Sequence, residues 1–138
     1  MKRTVFVGCV ESSYAILQHM LQSGYIVSGI VTMEESETNA DFRSLMPLAA
    51  EYGIEKKDII IDALCMTVSS DSKGAITTLE TVRRVRDELG GKTILGVSNI
   101  SFGLPQREIV NAAFFTMALQ NGLNAAIINP NSEAMMRS

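Results

Sequence analysis

The sequence predicts an α/β domain: a five-stranded parallel sheet with helices on both faces and the flavodoxin-like, Rossmann-like strand order 2-1-3-4-5. Three observations lead there. Short runs rich in Val and Ile alternate with helical patterns, and repeated β–α alternation with brief connections is the pattern of a parallel sheet wrapped by helices. The runs are nearly continuous in apolar character, as strands covered on both faces are. The chain has 138 residues, 46% hydrophobic and 20% charged, which suits a single domain of about 100–150 residues and is too short for two.

Five strands and four helices follow from the pattern. The first strand is Thr4–Gly8, and the first helix runs from Ser12 or Ser13 to Ser23, with serine as N-cap and Gly24 as its stop. Its apolar face is Ile16, Leu17, Met20 and Leu21. After the second strand, Tyr25–Thr32, the acidic segment Met33–Asp41 has no periodicity and reads as a surface loop. The second helix, Asp41–Tyr52, carries Pro47 inside its pattern, which delays or kinks it. The third strand is Asp58–Ala63. The third helix has Thr77 and Glu80 at capping-box spacing, Leu79, Val82, Val85 and Leu89 on one face, and Gly90 and Gly91 as its stop. The fourth strand is Thr93–Val97. A fourth helix from Pro105 to Gly122 is apolar around most of its circumference, and Ala125–Asn129 is the fifth strand.

Composition narrows the function. Twelve basic against fifteen acidic residues give a net charge of −3, without the basic stripe a phosphate backbone requires, so nucleic acid is not an expected partner. No apolar run reaches the roughly 20 residues of a membrane span, and the expected location is the cytoplasm. Cys9 and Cys65 form no CxxC and are read as free thiols, with no metal site. His19, the sole histidine, lies on the first helix, away from the strand ends where ligands bind in such sheets. The residues Ser69–Lys73 read as a loop that caps the third helix.

Strand order carries the assembly state. In the order 2-1-3-4-5, the connection after the second strand crosses back and both faces are covered within one chain. The alternative is sequential, 1-2-3-4-5, with all helices on one side. That half-barrel exposes an apolar sheet face larger than a soluble monomer tolerates and requires a homodimer.

From about Ala49 onward, DIIIDALCMTVSSD, KTILGVSNISFGLPQREIVNAAFFTMAL and AAIINPNSEAMM resemble the folate-binding (pterin-binding) β/α-barrel domain of cobalamin-dependent methionine synthase and related methyltetrahydrofolate:corrinoid methyltransferases. The resemblance makes these segments the fifth to seventh strands of an eight-stranded barrel. TVFVGCVESSYAILQHML, SGYIVSGIVT and DFRSLMPLAAEYGI are similar instead to the N-terminal part of the methionyl-tRNA formyltransferase family. The two overlap at LAAEYGI, which places a join near residues 49–54. Joining pieces of two folate enzymes at equivalent points is the form of an engineered fragment chimera.

The methyltransferase resemblance assigns Asp62, Asn99 and Arg107 to positions that hold the pterin ring and its surroundings. A pterin edge offers adjacent donors and acceptors that a carboxylate and a carboxamide match. Ala63 stands where that family usually has proline, which is expected to loosen the turn after Asp62. The barrel's earlier strands and its cobalamin domain have no counterpart in the sequence. The expected function is therefore a catalytically silent scaffold with no catalytic residues and no cofactor; the alternative is a residual tetrahydrofolate-binding module or methyltransferase fragment using Asp62, Asn99 and Arg107. A structural role for each competes with that alternative: Asp62 accepting loop N–H groups after its strand, Asn99 satisfying backbone groups of the following loop, and Arg107 pairing with a surface acid near the helix start.

Overall fold

The computed structural model describes residues 4–33 and 40–138 and divides into two compact units, Met1–Asp62 and Ala63–Ser138. The first contains β1 (Thr4–Val7), α1 (Glu11–Gln22), β2 (Val27–Thr32), α2 (Met46–Glu51) and β3 (Ile59–Asp62). β2 pairs in parallel with β1, Phe6 opposite Ile30, and with β3, Ile30 opposite Ile59. Leu17 of α1, Leu48 and Ala49 of α2, and Ile30 and Ile59 of the strands bury into one cluster, with Phe6, Tyr14 and Leu21 packed against it. Both helices therefore cover the same face of these strands. Val5 and Val7 alternate with Phe6 along β1 and remain 62% and 70% exposed.

This arrangement overturns the order 2-1-3-4-5, which needs β1 between β2 and β3 and α1 and α2 on opposite faces. The strands run β1-β2-β3-β4-β5, the sequential alternative. A run of Val and Ile identifies a strand, but it does not reveal whether its second face is covered, and in β1 that face is open. Of the loop Met33–Asp41, expected to permit a crossing, residues 34–39 lie outside the described residues.

The second unit contains α3 (Gly74–Asp87), β4 (Lys92–Gly96), α4 (Arg107–Gln120), β5 (Ala125–Ile127) and α5 (Glu133–Met136). β4 and β5 pair in parallel, Leu95 opposite Ala126. Val82 of α3, Leu95 of β4, Phe114 and Ala118 of α4 and Met135 of α5 share one core cluster. Here too the helices bury against one face. Asn124 fixes the entry to both strands: its Oδ1 accepts the Thr93 N–H at 2.9 Å and its own N–H donates to the Thr93 carbonyl at 3.2 Å.

Helix boundaries depart from the sequence pattern where side-chain capping was expected. α1 opens at Glu11 after an extended Val10, with no side-chain cap, so neither serine caps it. Ile16 is exposed, and Tyr14 packs on the core in its place. α1 ends as expected: Gly24 adopts φ +78°, and the Tyr25 N–H reaches back to the Met20 carbonyl at 3.0 Å, a Schellman stop. Pro47 sits in the first turn of α2, which starts at Met46 rather than Asp41. α3 begins at Gly74, so Thr77 is inside it and its hydroxyl donates to the Lys73 carbonyl at 3.3 Å. The Thr77–Glu80 spacing is thus not a capping box. On α4, Phe114 is buried, while Ala113, Met117 and Leu119 face outward.

Candidate functional site

The best-built polar cluster of the second unit stands where β4 ends. A 3-10 turn over Val97–Ser101 follows β4 directly. Its Val97, Ile100 and Ser101 are buried, whereas Ser98 and Asn99 are half-buried. The apolar residues pin the turn to the core, and this leaves Asn99 at its outer side. Gly96 lies close to this side chain: a Cβ built on it would lie 3.2 Å from Asn99 Nδ2. No hydrogen bond engages the Asn99 carboxamide among the described residues; only its main-chain carbonyl is used, accepting the Phe102 N–H at 3.3 Å. The structural role expected of Asn99, satisfying loop backbone with its side chain, is therefore not the one it has.

Arg107, the first residue of α4, folds back onto this turn. Its Nε donates to Ser101 Oγ and its Nη2 to the Ser98 carbonyl, each at 2.9 Å. Ser101 Oγ in turn donates to the Ser98 carbonyl at 3.3 Å, so a buried hydroxyl both accepts from the guanidinium and braces the turn. The Arg107 guanidinium also lies over the Phe102 ring, 4.6 Å from its centroid. Among the described residues no acid pairs with it; its partners are Ser101, the Ser98 carbonyl and the Phe102 ring. Gln106, just before Arg107, holds a left-handed backbone at φ 51°, ψ 44°, which costs energy for a residue with a Cβ and sets the angle at which Arg107 meets the turn.

Asp62 is the last residue of β3, half-buried, in the first unit. The chain beyond it is well held: the Ala63 N–H donates to the Ile94 carbonyl at 3.3 Å, a bond proline could not make, and Thr78 Oγ1 donates to the Leu64 carbonyl at 3.1 Å. Leu64, like Gln106, has a left-handed backbone, with φ 48°. Replacing the proline by Ala63 has thus not left this turn without anchors. Of the three expected residues, the structure gathers Arg107 onto the turn that carries Asn99, and Asp62 stands at a strand end.

Sequence reasoning missed Ser101 and Phe102, which hold Arg107, and Thr67 and Ser69, whose hydroxyls reach the same loop. Ser101 accepts from the Arg107 guanidinium, Phe102 offers it a ring, and Thr67 and Ser69 reach the Phe102 carbonyl, contacts for which no spacing rule exists. The Ser69–Lys73 loop precedes α3 but gives it no side-chain cap; Asp71 Oδ1 instead accepts the N–H of Lys73, the residue before the helix, at 2.9 Å. Cys9 is half-buried and Cys65 buried, both without a disulfide. Among the described residues no cluster of His, Cys, Asp or Glu is arranged to hold a metal ion, and no helix is long and apolar enough to cross a membrane.

The sequence between residues 16 and 129 matches the family model described as Pterin binding enzyme. The chain belongs to the pterin binding enzyme family. The bounds of the match enclose residues 49–54, where a join was expected, and take in most of the stretch read as formyltransferase-like. Among curated proteins, this family member is 29% identical over 102 residues to methionine synthase of Mycobacterium leprae, covering 69% of this chain and 8% of that protein. It is 30% identical over 89 residues to methylcorrinoid:tetrahydrofolate methyltransferase of Eubacterium limosum, covering 64% of this chain and 33% of that protein. Methionine synthase of Mycobacterium tuberculosis matches at 30% over 94 residues, 63% of this chain and 8% of that protein. The chain thus spans a third or less of the length of these relatives.

Proposed function

We propose that this chain is a pterin-binding module whose ligand is a reduced folate such as tetrahydrofolate, bound by Asn99 on a turn that Arg107 holds in shape. The observation that carries the reading is the Asn99 carboxamide: half-buried, without a partner among the described residues, on a turn fixed by the core behind it and by Arg107 beside it. A half-buried amide held in place without a partner is suited to a ligand that offers both a donor and an acceptor. The family match supplies the pterin, and the Eubacterium limosum relative supplies tetrahydrofolate by name.

In this reading Asn99 bonds the pterin ring near its reacting nitrogen, and Arg107 keeps the Asn99 turn in shape. Methyl transfer from a methylated folate is the turnover such a module would serve, with the acceptor brought by a partner. The reading of a silent chimeric scaffold has less support, since one family model accounts for both sides of the supposed join.

Calorimetric titration with tetrahydrofolate tests the proposal. Saturable binding is expected, weakened at least about tenfold by Asn99→Ala, equivalent to about 1.4 kcal/mol, with an unchanged melting temperature. Absence of heat at millimolar ligand would overturn it.

A further inference from the structure

Two hydroxyls outside the expected site converge on the loop that carries it. Thr67 Oγ1 lies 2.7 Å and Ser69 Oγ 2.8 Å from the Phe102 carbonyl oxygen, and the two hydroxyl oxygens are 3.0 Å apart. Two protons are available for these three contacts. Either both go to Phe102, or one is passed between the hydroxyls and the other reaches Phe102; Thr67 Oγ1 also lies 3.4 Å from the Ile100 carbonyl, a longer contact, so the Phe102 carbonyl is the nearest acceptor of both hydroxyls. Beside them the Val68 N–H donates to the Ile100 carbonyl at 3.1 Å. Gly103 turns the chain away at φ +80°, and a Cβ built on it would lie 3.4 Å from Ser69 Oγ.

The position held by this clasp matters because Phe102 is bonded on both sides. Its N–H donates to the Asn99 carbonyl, and its ring lies under the Arg107 guanidinium, which itself grips Ser98 and Ser101. Moving the Phe102 main chain would shift the ring, the guanidinium and the turn bearing Asn99 together. Phe102 is half-exposed, so core packing does not fix it; the hydroxyls do. Ligand groups need placement within about half an ångström to act, which rigid support supplies.

We propose that Thr67 and Ser69 are positioning residues of the pterin site, setting the Asn99–Arg107 geometry through the Phe102 carbonyl without touching the ligand. The inference rests on the pterin reading above. A purely structural role predicts a different result, because it would lower stability and affinity in parallel.

Tetrahydrofolate affinity, melting temperature and amide hydrogen exchange over Asn99–Leu104 are measured for wild type, Thr67→Val with Ser69→Ala, Thr67→Ser, and Asp71→Ala. Asp71 lies in the same loop, and its side chain accepts from the Lys73 N–H beside α3. The double variant is expected to bind about tenfold more weakly and to exchange faster over Asn99–Leu104, while Thr67→Ser stays within about twofold of wild type. Asp71→Ala is expected to lower the melting temperature and leave affinity unchanged. If the double variant does not fold, Ser69→Ala alone carries the test with a smaller, several-fold loss. Wild-type affinity in the clasp variants, or equal affinity loss in Asp71→Ala, would overturn the positioning role while leaving the pterin reading intact. A wild type that does not bind overturns both.

Discussion

Asn99 and Gly96 form the tightest side-chain relation at the site, and it is testable by one methyl group. The Cβ that Gly96→Ala would add meets the Asn99 amide at 3.2 Å, closer than ordinary contact, so the amide must move by a few tenths of an ångström. Gly96 has an ordinary negative φ of −78°, so the variant carries no left-handed strain. Stability should change by no more than about 0.5 kcal/mol, while tetrahydrofolate affinity falls several-fold; equal affinity with a large stability loss would contradict the assignment. Asn99 and Arg107 were named from the sequence because a family motif carries them. Thr67 and Ser69 were not, because the carbonyl they serve is 35 and 33 positions away, and side chains that bond backbone at such range leave no periodic trace.

Among the elements, α3 shows how local pattern and actual boundary separate. Thr77 and Glu80 have the spacing of a cap, yet the helix starts at Gly74 and Asp71 bonds the Lys73 N–H ahead of it. Asp71→Ala should therefore cost about 1 kcal/mol by denaturant unfolding, the worth of one hydrogen bond, and Thr77→Ala no more than about 0.5 kcal/mol; the reverse ranking would restore the capping box. The C-terminal half of α3 also makes a pH prediction. Hydrogen bonds from Arg84 and Arg86 hold the carboxyls of Glu88 and Asp87 below the usual carboxylate range. A carboxyl depressed on folding contributes stability above its unfolded pKa and loses it as pH falls through its folded value. Glu88→Gln should melt below wild type at pH 6 and match it at pH 2, with a smaller gap in high salt because these pairs are exposed. A gap that persists at pH 2 would contradict the pairing.

For the whole molecule, strand positions were legible and strand order was not. Val- and Ile-rich runs located all five strands to within a few residues, since few other elements tolerate such composition. The order turned on whether α1 and α2 share a face, which depends on Leu17 and Leu48 meeting in one cluster and has no signature in either helix alone. The sequential order brings with it the expectation of a homodimer. Val5 and Val7 in the first unit and Ile127, 64% exposed, in the second are large apolar side chains left in water, which favours self-association. Light scattering across a hundredfold dilution should give a mass above 15.0 kDa that falls as the protein is diluted. A constant monomer mass at every concentration would contradict it.

The central claim is that a reduced pterin docks at the turn after β4. A nitrogen-15 NMR titration with tetrahydrofolate tests it most directly, because it locates the ligand without assuming which residues bind. The account predicts saturable shifts concentrated on the Asn99 side-chain amide and the main-chain amides of Gly96–Gly103, with the Arg107 guanidinium following. Shifts that leave this turn unmoved while α1 or α2 responds, or no saturable shift at millimolar ligand, would contradict it.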